Sequence, residues 1–413
     1  MVFFYLLIAV MPIVRHAIWS ETQIAGMTAY KLLGIVCLVV AVNESQARRT
    51  PHRFFAEPQS WLFFLFTFEI TLSFFSMARS IDPEGSVVSS FSAFLMFFFT
   101  AITLINTAER LRWTLLSMVG GLAYTSLHLI REWQAYGGMT ERPYWVVGDP
   151  NYFTLGAIFG LPIAVLLAQE KGHYVPWWQR RFCLGCLVLI LFAVTLAASR
   201  GGVLGLAVTG AILAWHSRNR WRNYFAGALV LLLVMMISPT SPLRRFINPA
   251  QADQVSTDTR EALFWAGLDI FRNNVLIGIG AGNFKAEVAG YGLENVAHNT
   301  YVEVGAELGI FGLLTFAAII VCSIKTVARI RSITRSEKDS LIYLTANGLQ
   351  SGLLGGAVAI VFLSALHVRA LWFTVILTMC LASLLHDAKA RSRVAARPKS
   401  LRTVSANPVA ANT

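Results

Sequence analysis

Three basic residues, Arg200, Arg260 and His298, have the types and surroundings that chemistry on an anion requires. An arginine presents a planar guanidinium that binds an anion through two parallel hydrogen bonds. A histidine titrates near neutral pH and can therefore take a proton from a hydroxyl group. Glu303 and Glu307 follow the histidine at a spacing of four, which places them on one face of a helix. The set predicts an anion held by arginines beside a histidine base.

Each basic residue also has a simpler interpretation. A single histidine is more often a core or interfacial residue, an arginine in a helix's first turn is often solvated, and a turn arginine can extend toward lipid headgroups. Arg200 lies in Ser199-Arg200-Gly201-Gly202, with no acidic residue near it in the sequence. The two glycines allow close approach to the backbone, and the Arg200 charge at the membrane surface has no acid near it in sequence to neutralise it. Both features favour a functional role for Arg200 over a structural one.

The stretch after the histidine predicts the start of a helix. Asn299 or Thr300 can act as its N-cap, and Glu303 stands three residues beyond Thr300, which is the spacing of a capping box. Several glycines lie between and beyond Glu303 and Glu307. We therefore expect this acidic face to pack closely inside a bundle.

The elements that must position these residues are membrane helices. The 413 residues are 56% hydrophobic and only 14% charged, and long apolar runs recur along the chain. Because backbone polar groups in lipid must be satisfied internally, this composition predicts an all-α polytopic membrane bundle over residues 1–388. We expect about twelve spans, near 1–14, 25–42, 61–78, 87–107, 113–130, 151–169, 182–198, 201–216, 223–238, 300–322, 341–366 and 370–386.

The basic residues behind the net charge of +12 are distributed as the topology of such a bundle predicts. Twelve spans place both termini on one side of the membrane. The links and tail on that side hold 22 of the lysines and arginines, against 11 in the opposite links. Cytoplasmic links carry the excess of Lys and Arg in membrane proteins, so both termini are expected in the cytoplasm. Because topology explains most of the basic residues, we do not expect the protein to bind nucleic acid. The basic segment 389–413 is expected to be a disordered cytoplasmic tail.

One long periplasmic loop, residues 239–298, separates the ninth span from the tenth. Asp258 and Glu261 have the spacing of a capping box, so a helix is expected to begin there and to lie in the membrane interface. Arg260 would then lie in its first turn, where free backbone amides favour an anion. The glycines of 278–284 resemble a phosphate loop, but without its spacing they predict a compact turn.

These motifs resemble the O-antigen ligase and polymerase superfamily over roughly residues 145–385. The similarity is carried by the Ser-Arg-Gly turn, an external loop with an arginine, and the His-Asn-x-Tyr stretch that runs into Glu and Gly positions. In this chain the residues are Asp149–Asn151, Ser199–Gly202, Arg260, His298–Tyr301, Glu303, Glu307, Leu308–Gly309 and Gly312.

The resemblance implies a glycosyltransferase that works on the periplasmic face of the bacterial inner membrane. Its donor would be a glycan on undecaprenyl pyrophosphate, and its acceptor a hydroxyl of lipid A-core or of a growing glycan. Arg200 and Arg260 would bind the pyrophosphate and His298 would act near the acceptor, with Asn299, Tyr301, Glu303 and Glu307 in supporting positions. No metal and no cofactor are implied, and the remaining partners are membrane lipids.

Two enzymatic interpretations and one other remain open at this stage. The chain could be a ligase acting on lipid A-core, which we favour, or a polymerase of O-antigen or exopolysaccharide. It could instead be a transporter of lipid-linked sugars, although a transporter should show ionisable residues along a midplane path and internal symmetry. The last external turn carries His367 and Arg369, where ligases often have an acidic residue. The sequence identifies neither the sugar nor the role of these two residues.

Overall fold

A computed structural model describes residues 1–13, 16–21, 23–24, 27–47, 54–76, 86–135, 146–237, 251–337 and 340–395. The described chain is helical apart from one antiparallel pair of two-residue strands, Gln23–Ile24 and Met27–Thr28. Its α-helices are α1 Val2–Val10, α2 Ala29–Ala47, α3 Pro58–Ser76, α4 Ser86–Leu104, α5 Ala108–Ala135, α6 Pro150–Gln169, α7 Trp177–Ala197, α8 Arg200–Trp215, α9 Arg220–Ile237, α10 Gln251–Asn273, α11 Phe284–Val288, α12 Thr300–Ile333, α13 Leu341–Ala359 and α14 Arg369–Ala395.

The predicted all-α membrane bundle is confirmed as a fold class. Eight described helices are long and apolar enough to cross a membrane, namely α2, α4, α5, α6, α7, α12, α13 with the turn after it, and α14. The other four expected spans are present as the helices α1, α3, α8 and α9, of which α1 has nine residues and α8 sixteen. A straight span needs about twenty residues, so these two helices are short for a crossing.

A cluster of aromatic rings joins α3, α4, α12 and α14. Trp372 on α14 is fully buried, and its indole nitrogen donates to the carbonyl of Leu366 at 2.7 Å. Its ring lies 5.0 Å from that of Phe91 on α4, 5.4 Å from Phe63 on α3 and 6.1 Å from Phe316 on α12. Aromatic pairs at these separations add to the burial energy. The cluster therefore fixes α12 relative to three neighbouring helices.

Small residues let α8 and α13 pack closely. A Cβ on Gly205 would lie 2.9 Å from the carbonyl oxygen of Gly355, and one on Gly355 would lie 2.0 Å from the hydroxyl of Thr209. Contacts this short exclude any larger side chain at either position. Small residues serve this purpose in membrane bundles because they bring backbones into van der Waals contact. The packing holds the first turn of α8 close to the end of α13.

Two acidic side chains, the half-buried Glu69 and the buried Glu57, contact partners on other helices. The hydroxyl of Thr315 on α12 donates to Glu69 Oε1 on α3 at 3.0 Å, as expected for an acid inside a span. At the opposite end of α3, Arg329 donates to both carboxylate oxygens of Glu57, at 2.6 and 2.5 Å. These contacts tie α3 to α12 at two levels.

The long loop between α9 and α12 and the C-terminal tail differ in part from the expectation. Residues 238–250, the start of the loop, lie outside the described residues. The last helix continues to Ala395, so residues 389–395 of the expected tail are helical. Residues 396–413 also lie outside the described part of the chain. Arginine, alanine and lysine favour helix, which explains the extension beyond the apolar span.

Candidate functional site

His298 stands at the turn that opens α12. Its backbone has a φ of 49°, a left-handed conformation that costs free energy in any residue other than glycine. Asn299 is the N-cap of α12, and its side-chain oxygen accepts from the amides of Tyr301 at 3.0 Å and Val302 at 3.2 Å. Of the two caps that the sequence allowed, the structure has Asn299. The cap holds the strained histidine at the mouth of the helix.

The surroundings of His298 favour its neutral form. The side chain is half-buried, and this burial is the largest cause that lowers its pKa. The positive charge of Arg260 lowers the pKa further, whereas the negative charge of Asp149 raises it. The net shift is downward from an ordinary value of about 6.5. His298 is therefore an unprotonated imidazole at neutral pH, which is the form that can accept a proton.

Asp149 brings the start of α6 to the same place. It is the N-cap of α6, and its Oδ1 accepts from the backbone amide of Asn151 at 2.7 Å and from the Asn151 side chain at 2.8 Å. Pro150 follows at the first helical position, where its fixed φ suits the helix. Tyr152, in the same turn, is within electrostatic range of both Asp149 and Glu303 on α12. The Asp-Pro-Asn motif thus faces the start of α12.

Arg200 lies at the first position of α8. Ala198 before it adopts a left-handed conformation with φ of 46°, and Ser199 caps the helix by accepting from the amide of Gly202 at 3.1 Å. A Cβ on Gly201 would lie 2.6 Å from Phe362, and one on Gly202 would lie 2.2 Å from Thr154 of α6. Side chains of the protein therefore pack directly on the backbone at both glycines. The Arg200 side chain is half-buried and makes no hydrogen bond or ion pair with the described residues.

The chain after α13 connects the arginine turn to the histidine turn. Phe362 packs on Gly201, and the next residue, Leu363, offers its carbonyl to the hydroxyl of Thr300. The same hydroxyl accepts from the amide of Ala365 at 2.9 Å. Thr300 is completely buried, so both bonds are shielded from water. One short segment, residues 360–365, therefore sets the position of α8 relative to α12.

Three helix N-termini consequently meet at this place. The first turn of α6 contacts that of α8 through Thr154 and Gly202, and it faces that of α12 through Asp149 and His298. The first amides of a helix have no partner within the helix, and its dipole is positive there. Converging N-termini beside Arg200 and Arg260 create a positive surface over the buried ends of the bundle.

The expected helix around Arg260 begins earlier than the sequence suggested. The structure places its start at Gln251, so Asp258 lies inside α10 and is not its N-cap, and Arg260 lies mid-helix. The capping-box prediction was wrong because residues 251–257 contain no glycine or proline to stop the helix. The helix dipole therefore gives Arg260 no assistance. Its nearness to His298 is retained, since Arg260 acts on the pKa of that histidine.

An apolar contact positions α10 against α12. The buried side chains Leu263, Ala266 and Ile270 of α10 pack in one cluster with Phe284, Val288, Ala297 and Ala306. A Cβ on Gly267 would lie 2.4 Å from Val302, two residues into α12. Arg260 stands two turns before Gly267 on the same helix. This contact is the reason that Arg260 reaches the level of His298.

The two glutamates of α12 have different surroundings, although both are buried. Glu307 Oε1 accepts from the amide of Phe284 at 3.1 Å and so holds the start of α11. Glu303 lies one turn closer to His298, within electrostatic range of Tyr152, and its carboxylate approaches the hydroxyl of Ser364 in the segment after α13. The structure thus gives Glu307 a structural contact and leaves Glu303 beside the site.

The glycine-containing segment before α11 is a compact turn, as predicted, and not a phosphate loop. The amides of Ile279 and Gly280 donate to the carbonyls of Ala306 and Glu307, each at 2.9 Å. These carbonyls are exposed by a break in α12 at Gly309, which has a φ of 67°. Because its amides are bound to α12, this turn is not arranged to hold an anion.

Arg369 does not join the site. Its side chain donates to the carbonyl of Ile13 at 3.1 Å, and its guanidinium stacks 4.4 Å from the ring centroid of Tyr30. These contacts fasten the chain after α1 to the start of α14, so Arg369 is a structural residue. His367 lies in the turn just before α14.

The comparison with protein families agrees with this geometry. Residues 185–317 match the family model described as O-antigen ligase. The match covers this part of the chain and supports the resemblance to the O-antigen ligase and polymerase superfamily. A search of curated proteins found no match. The matched O-antigen ligase domain contains Arg200, Arg260, His298, Glu303 and Glu307, and it supports an enzyme of the ligase or polymerase type in a multi-pass membrane protein.

Sequence reasoning missed the roles of two residues at the site, Asp149, which lies outside that domain, and Thr300, which lies within it. Asp149 was named only as part of the Asp-Pro-Asn motif of the resemblance, and its charge acts on His298 from 149 positions earlier in the chain. Thr300 was considered only as a possible cap, and it is instead the contact between α12 and the segment after α13. Neither role leaves a local sequence signal, because each depends on a partner that is far away in the sequence.

Proposed function

We propose that this protein transfers a glycan from an undecaprenyl pyrophosphate carrier to an acceptor hydroxyl at the periplasmic face of the inner membrane. We further propose that it is an O-antigen ligase whose acceptor is lipid A-core. The family match to residues 185–317 supports the ligase or polymerase type of enzyme. The observation that carries the proposal is the neutral, strained His298 beside Arg260, at the meeting point of three helix N-termini.

The arginines serve the departing pyrophosphate. When the bond between the sugar and the carrier breaks, the electron pair moves to the pyrophosphate oxygen, whose negative charge increases. The Arg200 guanidinium, which has no protein partner among the described residues, is available to bind two oxygens of the pyrophosphate in a bidentate manner. Arg260 adds a second positive charge, and the helix N-termini add their dipoles. Such preorganised charge stabilises the transition state without a metal ion.

His298 serves the acceptor. The acceptor hydroxyl gives its proton to the imidazole while its oxygen forms the new bond to the sugar. The proton remains on His298 until it is released to water or to the pyrophosphate, so atoms and charge balance. Arg260 near His298 disfavours a protonated imidazole before the reaction, and the negative charge of Asp149 stabilises it once it has formed. Tyr152 lies within electrostatic range of Asp149 and of Glu303.

The accumulated intermediate in a deletion strain distinguishes a ligase from a polymerase. Without a ligase, polymerisation continues and we expect long glycans on the undecaprenyl carrier. Without a polymerase, single repeats would accumulate on the carrier or on the acceptor. Extraction of lipid-linked glycans followed by mass spectrometry measures this length directly. Single repeats as the main product would reject the ligase proposal, and restoration by a plasmid copy is the control.

The pH dependence of the reaction should follow the pKa of His298. Since the neutral imidazole is the active form, kcat/KM is expected to fall as the pH decreases through a pKa below the ordinary value of about 6.5. Asp149→Asn removes the charge that raises this pKa, so the acidic limb should move to lower pH. Arg260→Gln removes a charge that lowers it, so the limb should move to higher pH. Shifts in the same direction for both variants would contradict the assignment.

Thr300 is expected to act as a positioning residue through its two hydrogen bonds. Thr300→Val retains the side-chain volume but releases residues 363–365, which should shift Arg200 relative to His298. A displacement of about 1 Å can reduce turnover roughly 100-fold. We therefore expect kcat to fall more than the affinity for the donor, and Thr300→Ser to restore it.

Thr315→Val is the matched control for that variant. Thr315 lies on the same helix and also donates a buried hydrogen bond to another helix, at Glu69. Both valine variants should lose about 1–3 kcal/mol of stability, because each leaves a buried polar group without its partner. Only Thr300→Val should lower turnover. An equal loss of turnover in the two variants would mean that Thr300 contributes stability alone.

A further inference from the structure

Three consecutive apolar side chains are exposed in the turn that follows α10. Val275, Leu276 and Ile277 are 43%, 64% and 65% exposed. A run of exposed apolar residues of this kind marks a surface that is normally covered by a partner or by lipid. No described part of the chain covers it. The turn comprises residues 274–278, and we refer to it as the apolar turn.

The backbone contacts of the apolar turn show its depth. The amide of Ile310 donates to the carbonyl of Val275 at 2.7 Å, and a Cβ on Gly309 would lie 2.4 Å from the carbonyl oxygen of Leu276. Since α12 begins at Thr300 and rises 1.5 Å per residue, the contact lies about 15 Å along that helix. The apolar turn therefore stands beside a helix that is long and apolar enough to span the membrane.

The length of α12 places this contact at the outer edge of the hydrocarbon layer. The break at Gly309 divides it, and the part over residues 310–333 extends over roughly 36 Å, whereas the hydrocarbon core is about 30 Å thick. Lys325, Arg329 and Arg331 mark the end that approaches the cytoplasmic surface. About twenty residues before Lys325, the level of Gly305 to Ile310 is reached. Phe311 and Leu314, which follow, are both exposed.

The backbone of the apolar turn is suited to that depth. Irregular backbone survives at membrane depth only where its polar groups are paired within the protein. Here the amide of Gly278 donates to the carbonyl of Asn274, and those of Ile279 and Gly280 donate to carbonyls of α12, each at 2.9 Å. The pairing is possible because the break at Gly309 frees those carbonyls. Val275 offers its own carbonyl to Ile310.

A polar rim borders the exposed apolar residues. Arg272 and Asn273, just before the apolar turn, are exposed and can reach lipid headgroups. Asp269, one turn earlier, accepts from the hydroxyl of Tyr291 at 2.7 Å and so faces the water side of the loop. Polar residues directly above an apolar surface are typical of segments at the boundary of headgroups and acyl chains.

We propose that residues 275–277 insert into the outer leaflet of the membrane and contact lipid acyl chains there. The insertion anchors the C-terminal end of α10, the helix that carries Arg260. The lipid is therefore the partner of this surface. The proposal does not depend on the transferase activity, because it concerns only where the turn lies in the bilayer.

Site-directed fluorescence measures the position of the turn. A bimane label is placed on Ile277→Cys in full-length protein in nanodiscs of phosphatidylethanolamine and phosphatidylglycerol. Cys322 is first replaced by alanine, because the other four cysteines are buried. Lys285→Cys, exposed eight residues later at the start of α11, is the matched aqueous control, and Phe311→Cys is the control within the span.

The labels should separate into two groups. At positions 277 and 311 we expect blue-shifted emission, quenching by lipids with a doxyl group on the acyl chain, and at least several-fold protection from iodide. At position 285 we expect the reverse. Iodide quenching at 277 equal to that at 285 would overturn the proposal. Protection from iodide without doxyl quenching would also overturn it, because a second copy of the chain would then cover the turn.

Discussion

Replacing His298 by alanine is expected to lower turnover by about two to four orders of magnitude, the range typical for loss of a general base. The residue is half-buried, neutral at physiological pH and held in a left-handed conformation next to Arg260. Donor binding should remain largely intact, because the proposed pyrophosphate contacts come from the arginines. The measurement is single-turnover kinetics of the purified protein with a lipid-linked donor, together with donor affinity.

His128→Ala is the matched control for His298→Ala. His128, on α5, is also half-buried, and its ring packs edge-to-face against Tyr124 and His16, with centroid distances of 4.7 and 5.3 Å. Removing it should leave turnover unchanged. If both His298→Ala and His128→Ala kept normal turnover, the base would have to be Glu303 or a group of the substrate. A fall in turnover that merely follows a loss of folded protein would count against a chemical role.

Features that depend on neighbouring residues could be predicted from the sequence. The cap of α12 at Asn299, one of the two residues that the sequence allowed, is set by groups within three positions, and the structure has it. The acidic pair four residues apart on α12 is likewise a matter of helical period. The membrane class follows from composition, because only helices satisfy their own backbone in lipid.

Features that depend on distant parts of the chain could not be predicted. The start of α10 was placed seven residues too late, since a capping motif inside a helix looks the same as one at its beginning. The bond between Thr300 and Leu363 joins positions 63 apart, and the charge of Asp149 reaches His298 across 149 positions of the sequence. The break at Gly309 depends on the apolar turn that packs against it. Each of these requires the tertiary arrangement.

The span count shows the same limit in another way. An apolar run of fourteen to eighteen residues reads as a membrane span, yet the corresponding helix can be as short as the nine residues of α1. Its end is set by the chain that follows, where Arg369 binds the carbonyl of Ile13 and so fastens the end of the segment. The sequence therefore predicted the helices better than their lengths.

Replacing Arg200 by lysine is expected to be nearly as damaging as replacing it by alanine. Both variants should lower kcat/KM by about two to three orders of magnitude, the usual effect of losing one preorganised contact to developing charge. Lysine keeps the positive charge but loses the planar fork that binds two oxygens. The fold should tolerate both changes, because the Arg200 side chain makes no hydrogen bond or ion pair with the described residues.

Arg220→Lys is the control for general effects of this exchange. Arg220 is the first residue of α9, and its guanidinium lies over the Trp215 ring, 5.5 Å from the centroid. It stands at the opposite end of α8, so its replacement should leave kcat/KM unchanged. Thermal unfolding in detergent checks that all variants are folded. If Arg200→Lys were fully active and Arg200→Ala inactive, the site would require only a point charge at this position. If Arg200→Ala were fully active, the arginine would have no part in the mechanism. Arg260 and the helix N-termini would then be the groups that neutralise the pyrophosphate.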